Sequence, residues 1–365
     1  MKFIVSSSSL LKHLQQINGV INANTVLPIL EDFLFDIQEK KLSVTATDLE
    51  TVMRVHMDIE SKANGKVCIP AKILIDSLKN IADQPLTFGI EITSDNGKYK
   101  VMGENPDNFP KEPAADDTTG FTMTSGALVT AINKTLFAVS TDDLRPAMTG
   151  VFFELAKDGV QFVATDAHRL VRYKRTDAKA SKVDSFIVPK KPLNLLKNAL
   201  PDNDDEINIS YNSNHLFVSH GDIQMVCRLI DARFPDYKVV IPADNPYHLV
   251  VNKNDFQNAL RRVSVFSNKS TNQVALSITG SELQMASQDV DFSFEGNERM
   301  NCQYNGEDLQ IAFNAKFLIE MLNAADTSDV RVELSTPTKA GLVKPSEQAE
   351  NEDLMMLVMP LMLNN

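Results

Sequence analysis

The sequence predicts an α+β fold of three repeated domains, each built from two similar halves of antiparallel sheet plus a helix, and three observations carry that prediction. A short strand, a polar cap and a helix occur in succession at residues 3–14, 121–132 and 248–260. An alternating strand that ends in a small-polar-acid turn follows at residues 42–48, 160–166 and 283–289. A strand, a turn and a second helix then follow at residues 66–78, 185–196 and 309–322. The starts at Phe3, Phe121 and His248 lie 118 and 127 residues apart, far beyond the ~20–50 residue period of solenoids. The expected domains are therefore 1–119, 120–244 and 245–365, a division that suits 365 residues at roughly 100–200 per domain.

Six helices are expected, two per domain. Leu10, Leu11, Leu14 and Ile17 follow helical spacing behind a serine run that offers N-caps; Leu128, Val129 and Ile132 repeat it behind Ser125, and Phe256, Leu260 and Val263 behind Asn252 or Asn254. The second helices carry Ile73, Leu74 and Leu78, then Leu193, Leu196 and Leu200, then Phe317, Leu318, Met321 and Leu322. One apolar stripe per helix places each on a sheet with its other face toward something polar. Alternating runs at residues 33–37, 52–59, 151–155, 207–211, 215–219, 223–229, 274–278 and 330–334 read as antiparallel strands.

Composition bounds the function. Hydrophobic residues make up 43% and charged residues 23%, the balance of a globular chain; only residues 344–353 are polar and acidic enough to read as a mobile loop. The N-terminus enters a strand without a long apolar core, and the most apolar tract, residues 354–363, is half the ~20 residues a membrane helix needs. A cytoplasmic protein with no membrane contact is expected. Cys68, Cys227 and Cys302 are isolated and odd in number, which suits reduced thiols better than a disulfide framework or a metal site.

The net charge of -12 argues at first against nucleic acid, yet its distribution is uneven. Basic against acidic residues number 12 to 17, 15 to 15 and 9 to 16 in the three repeats. The middle repeat is neutral, with basic runs at Arg169, Arg172, Lys174 and Arg175 and at Lys190, Lys191 and Lys197. An acidic exterior with a local basic face fits this pattern, as do solvated strand ends.

Motifs of catalysis are missing: no phosphate-cradling glycine loop, paired Cys-x-x-Cys, His-Glu-x-x-His or nucleophile elbow is present, so neither metal nor cofactor is expected. Asp166 and His168 are the one candidate acid-base pair. The histidine belongs to one repeat only, since the other copies hold Asp48 with Glu50 and Asp289 with Asp291; it reads as a partner-binding, structural or catalytic residue. His215 and His220 are expected to sit across a hairpin without nearby cysteine, a poor metal site. Residues 228–238, with Phe234, Pro235 and Tyr237, read as a loop leaving the middle repeat, either a structured linker or the rim of a binding groove.

Residues 27–30 (Leu-Pro-Ile-Leu) with 47–50 (Thr-Asp-Leu-Glu), 164–170 (Ala-Thr-Asp-Ala-His-Arg-Leu), 233–237 (Arg-Phe-Pro-Asp-Tyr) and the tail 357–362 (Leu-Val-Met-Pro-Leu-Met) resemble, in order and along the whole chain, the bacterial DNA polymerase III beta subunit family of replicative sliding clamps. The resemblance implies three DNA-clamp domains per chain, a head-to-tail homodimeric ring and helices around duplex DNA held without regard to sequence. Such a clamp is a non-catalytic processivity factor in DNA replication. It tethers a polymerase at high effective concentration. The alternative is an enzyme or sensor on the same repeated domains, centred on Asp166 and His168.

The partner groove implied by the resemblance lies between the middle and last domains. It involves Met148, Thr165, Ala167, His168, Arg169 and Leu170, then Pro235 and Val240, then Thr271, Asn314, Phe317 and Thr338, and the tail residues Leu357, Val358, Met359, Pro360, Leu361 and Met362. In the family this groove takes a short linear peptide from the DNA polymerase III alpha subunit, the clamp-loader delta subunit, other polymerases and repair proteins. Flexible methionines suit such varied occupants. DNA-facing candidates are Lys12, Asn24, Lys134, Lys190, Lys191, Lys197, Arg261 and Arg262; dimer-interface candidates are Tyr99 and Val101 on one side and Val265 and Phe266 on the other. The chain departs from the family at Ala167, where glycine is common, at Val239, where some members have arginine, at Ala23 and Asn24, where some clamps place a basic residue, and in its extension to Asn364 and Asn365.

Overall fold

The computed structural model describes residues 2–22, 25–89 and 91–363. The candidate Asn24, its neighbour Ala23 and the Asn364–Asn365 extension lie outside the described residues.

Alternation decides the sheets. Phe33, Phe35 and Ile37 of strand Asp32–Gln38 are fully buried, because a period of two puts one face of the strand on the core. Phe88 stacks on Phe35 with ring centroids 5.3 Å apart and meets Phe3 at 5.0 Å, so strands distant in sequence close over one core. Aromatic pairs at such separations add ~0.5–1.5 kcal/mol beyond their burial.

The helices α1 (Ser7–Asn18), α2 (Ala71–Lys79), α3 (Ser125–Thr135), α4 (Lys190–Ala199), α5 (Lys253–Ser264) and α6 (Ala315–Ala324) fall where the apolar spacing places them. Ser6 caps α1 through Ser9 N–H, Asn252 caps α5 through Asn254 and Asp255 N–H, and Asn314 caps α6 through Lys316 and Phe317 N–H. For α3 the hydroxyl that accepts, from Ala127 N–H at 3.2 Å, is that of Thr124, one residue before the expected Ser125. Each cap satisfies N–H groups the helix cannot, an effect of about 1 kcal/mol. Leu10, Leu14 and Ile17 of α1, and Phe256, Leu260 and Val263 of α5, form the buried stripes.

The chain gathers into two compact units, one of residues 1–129 with 188–230, the other of residues 130–187 with 231–365. These units do not follow the three sequence repeats, and strand pairing gives the physical reason. In the first unit, one sheet runs in spatial order Thr119–Thr124, Glu206–Tyr211, His215–His220, Ile223–Arg228, Thr51–Asp58, Lys41–Thr47, Asp32–Gln38 and Gly65–Pro70. The pairing of Ile223–Arg228 with Thr51–Asp58 thus makes one sheet from two repeats. The other sheet of this unit is Glu60–Ser61, Phe3–Ser6, Pro85–Phe88, Glu91–Thr93 and Lys98–Lys100.

The second unit repeats the device. Its larger sheet runs Gly150–Ala156, Gly159–Thr165, Arg169–Arg175, Glu352–Val358, Gly341–Pro345, Asp329–Leu334, Tyr247–Asn252 and Gln303–Tyr304, joined across repeats where Arg169–Arg175 meets Glu352–Val358. Its smaller sheet is Phe294–Asn301, Glu282–Asp289, Gln273–Thr279 and Leu309–Asn314.

Two loop expectations change. Residues 344–353 do not form a free loop: their ends belong to strands Gly341–Pro345 and Glu352–Val358, and the Gln348 side chain bonds both N–H and C=O of Leu354. In residues 228–238, Phe234 and Tyr237 are buried rather than rim aromatics. Phe234 stacks on Phe152 with centroids 4.6 Å apart, and Tyr237 donates its hydroxyl to Glu154 at 2.6 Å. Burial opposes ionisation of Glu154, yet the bonds from Lys238 and Tyr237 hold its carboxyl below the usual range. The three cysteines are unpaired and buried. No described helix is long and apolar enough to cross a membrane, and no group of potential metal ligands occurs among the described residues.

Candidate functional site

The tail of the chain meets the middle repeat at strand Arg169–Arg175. Arg169 pairs with Val358 and Leu170 with Leu357. Beyond Val358 the backbone leaves the sheet but stays tethered, because Met359 N–H donates to His168 C=O at 2.9 Å and Leu361 N–H to Ala312 C=O at 2.7 Å. The tail is thereby held by two elements: the turn before Arg169 and the strand that leads into α6.

That turn is built from its own polar side chains. Thr165 Oγ1 accepts from Ala167 N–H at 3.1 Å and donates to Arg169 C=O at 2.7 Å, while one Asp166 oxygen accepts from the N–H groups of His168 and Arg169, both at 3.0 Å. Ala167 adopts φ 76°, a left-handed conformation that costs a residue with a Cβ roughly 1–2 kcal/mol. The first repeat has the same shape, with Leu49 at φ 79°, Thr47 Oγ1 accepting from Leu49 N–H and one Asp48 oxygen accepting from the N–H groups of Glu50 and Thr51.

Arg169 is the electrostatic centre. It is buried, and its Nε donates to the second Asp166 oxygen at 3.0 Å, one Nη to Phe137 C=O at 2.6 Å and the other to Glu320 of α6. The guanidinium lies over the rings of Phe317, at 4.4 Å, and Phe137, at 5.3 Å. A cation without room to be solvated is tolerable only with such partners. Both Asp166 oxygens are committed to backbone and Arg169 rather than to an imidazole, so the candidate acid-base pair of Asp166 and His168 is not formed. The His168 side chain is exposed, its ring centroid 6.4 Å from that of Phe317.

The remaining groove candidates divide into floor and rim. Thr165, Leu170, Leu357 and Val358 are buried within the chain, in the sheet beneath. Ala167, His168, Val240, Thr271, Thr338, Met359 and Met362 are exposed, and Met148, Pro235, Asn314, Phe317, Pro360 and Leu361 half-buried. Met148 ends a short helical turn, Pro146–Met148, and its carbonyl accepts from Ser140 N–H at 2.9 Å. Asn314 pairs with Gln273, two residues from Thr271, and Gly341 with Val358, three residues from Thr338. The exposed apolar residues here are Val239 and Val240, which follow residues 228–238, not the aromatics within them. Phe137 and Glu320 were not legible as site residues; Glu320, one helical turn past Phe317, carried the only sequence hint.

Among the DNA-facing candidates, Lys12, Lys197, Arg261 and Arg262 are exposed and Lys190 and Lys191 half-buried. Lys134 is corrected: it is 6% exposed, with its ammonium 3.0 Å from Glu352, 3.1 Å from Asp326 and 5.2 Å above the Tyr173 ring. Those carboxylates take the place a phosphate would need. Lys191 is bound to Asp48, Asn22 and the Val20 carbonyl, and Arg262 to Glu298, so neither is a free charge.

The interface candidates also divide. Tyr99, Val265 and Phe266 are exposed, whereas Val101 is 6% exposed and already spent on its own unit. Tyr99 sits in Lys98–Lys100, a fully exposed edge strand. Phe266 lies over Gly296 of the edge strand Phe294–Asn301, where a Cβ would come within 2.6 Å of its ring.

Comparison with known proteins agrees along the whole chain. The models of the N-terminal, central and C-terminal domains of the DNA polymerase III beta subunit match residues 1–114, 122–236 and 238–362. The chain is 29% identical over 372 residues to the beta sliding clamp of Pseudomonas aeruginosa and 28% identical over 370 residues to that of Haemophilus influenzae, covering 100% of both partners in each case. The crystal structure of the Pseudomonas aeruginosa clamp bound to griselimycin superposes with a TM-score of 0.94 at 25% identity, and that of the Thermotoga maritima DNA polymerase III beta subunit with 0.92 at 25%, each covering 100% of both chains. The chain belongs to the DNA polymerase III beta subunit family, the bacterial beta sliding clamps.

Proposed function

We propose that this clamp closes head to tail with a second copy of itself, holds duplex DNA through non-specific contacts, and tethers the replicative polymerase by taking a short linear peptide in the groove at Arg169 and the tail. The observation that carries the reading is the tether of Met359 and Leu361 to His168 and Ala312, which brings the apolar tail beside the exposed imidazole. The finer partners, the DNA polymerase III alpha subunit and the clamp-loader delta subunit, belong to this proposal. Ring closure is supported by two open sheet edges of different sequence, Lys98–Lys100 and Phe294–Asn301. A heterologous contact between unlike edges closes into a ring when the rotation permits.

The test is topological. The protein is threaded onto linear duplex through a free end, and both ends are then blocked with bulky proteins. A dimer retained in high salt on blocked DNA, and lost from unblocked DNA, is expected; open contacts weaken with a slope of about -0.9 per phosphate neutralised. A monomer in sedimentation at micromolar concentration, or equal loss from both DNAs, overturns the proposal.

A further inference from the structure

One rung along the sheet from the groove floor lies a polar cleft of about 440 Å³, lined among others by Arg172, Asn245, Arg331, Glu333, Lys344 and Asp353. Its place follows from register. Leu170 pairs with Leu357, and Leu357 with Leu342; two residues on, Arg172 pairs with Met355, while Lys344 pairs with Arg331. Side chains two residues apart share a face and sit about 7 Å apart along a strand. The cleft therefore continues the face whose preceding rung is the Leu170 and Leu357 floor, and Ile241 of its wall directly follows Val240 of the groove rim.

The cleft holds polar groups that the chain does not satisfy. Asn245 is 7% exposed and donates through Nδ2 to the carbonyls of Glu333, at 3.0 Å, and Ala340, at 2.9 Å. Those two bonds fix which way the amide points, and its Oδ1 is a buried acceptor without a protein partner. Arg172 Nε is a buried donor likewise without a hydrogen-bond partner, and Arg331 Nε, 3.1 Å from a Glu333 oxygen, is ion-paired but not aligned as a hydrogen bond. Charge is also unbalanced: Lys344 and Arg331 share Glu333, at 2.8 and 3.1 Å, and Arg172 pairs with Asp353, so three cations face two carboxylates.

We propose that this cleft is a second subsite of the groove and takes the carboxylate of an aspartate or glutamate that flanks the apolar anchors of the partner peptide. The inference rests on the groove reading above. An acidic residue answers the whole inventory, because its carboxylate accepts from the arginine N–H groups and balances the third cation while its backbone N–H serves Asn245 Oδ1. A free carboxylate leaves that amide oxygen unmet. Two extended residues span about 7 Å, so a peptide leaving the groove floor reaches the cleft within two or three residues.

The experiment uses the full chain and capped fluorescent peptides with a glutamine, a leucine and a terminal leucine-phenylalanine pair, carrying glutamate or glutamine in turn before and after these anchors. At one of the two ends glutamate should bind about tenfold more tightly than glutamine, as a charge-assisted bond at a half-exposed site allows, and the preference should shrink with salt. Arg331→Gln and Lys344→Gln should each erase the preference and leave the glutamine peptides unchanged. Equal binding of all peptides to the unaltered chain overturns the subsite and leaves the groove intact. Binding of none overturns both. Displacement by N-acetylglutamate alone at micromolar concentration overturns the peptide as occupant and makes the cleft a small-carboxylate site.

Discussion

Cutting the chain after Val358 should remove partner binding and little else. Val358 is fully buried and pairs with both Arg169 and Gly341, so a cut before it opens the sheet, whereas a cut after it spares strand Glu352–Val358 and both its neighbours. What is lost is the Met359–His168 and Leu361–Ala312 backbone bonds, of 2.9 and 2.7 Å, and the apolar side chains of Met359, Leu361 and Met362. At about 0.5–1.5 kcal/mol net per bond, the fold loses ~1–3 kcal/mol. A central apolar anchor lost from a peptide interface costs ~2 kcal/mol or more, near thirtyfold in affinity. Fluorescence anisotropy with a capped glutamine-leucine-phenylalanine peptide measures the second quantity, and sedimentation velocity checks that the assembly state is unchanged. Unaltered peptide affinity in a folded, truncated chain refutes the placement of the groove.

Two substitutions test the local physics. Ala167→Gly relieves a left-handed backbone at an exposed site and should raise stability by about 0.5–1 kcal/mol after the glycine entropy is counted; a lower urea midpoint than the parent contradicts the strain argument. Asp32 is 4% exposed, and burial, then Glu104 and Glu31, push its carboxyl from 3.8 up to about 6. A raised carboxylate pKa means that the folded state binds the extra proton, so this group destabilises the fold above pH 6 and the penalty fades as pH falls from 6 towards 3.8, by up to about 3 kcal/mol. Asp32→Asn should therefore be more stable than the parent at pH 8 and lose the advantage near pH 4. Parallel stability-pH curves for the two proteins contradict it.

The fold was legible because the signals that specify it are local and occur three times. Alternation placed Phe33, Phe35 and Ile37 on a core, and helical spacing placed Leu10, Leu14 and Ile17 on one stripe. Pairing between repeats was not legible: nothing in strand Ile223–Arg228 announces that its neighbour is Thr51–Asp58, since the outermost strand of a repeat carries no local mark of its partner. The same limit hid the fate of individual charges. Lys134 and Lys12 are both lysines on first helices of their repeats, yet only Lys134 meets carboxylates, Asp326 and Glu352, that lie far away in sequence. Resemblance supplied the candidate groove residues, but which of them are buried and which exposed depends on the tail strand packing on Arg169–Arg175, a contact between residues some 180 positions apart.

The acid turn shows how one inherited backbone came to serve unlike ends. In all three copies the aspartate oxygen accepts a backbone N–H two residues on: Asp48 from Glu50, Asp166 from His168 and Asp289 from Asp291. That bond closes a turn with local groups alone, so the side chains around it are free to change without loss of shape. In the first copy the second carboxylate oxygen holds Lys191 of α4 at 2.6 Å, which spends a cation on packing. In the second it holds Arg169, whose remaining nitrogens reach the Phe137 carbonyl and Glu320, and the next residue back is the exposed His168. The third has no cation in the turn, since Val290 and Asp291 stand there. A buried guanidinium with five donors can clamp three elements at once where an ammonium cannot present a planar fork. The middle copy is therefore the one whose turn is clamped to three elements and carries an exposed imidazole beside the docked tail, and this is the arrangement on which the proposed groove rests.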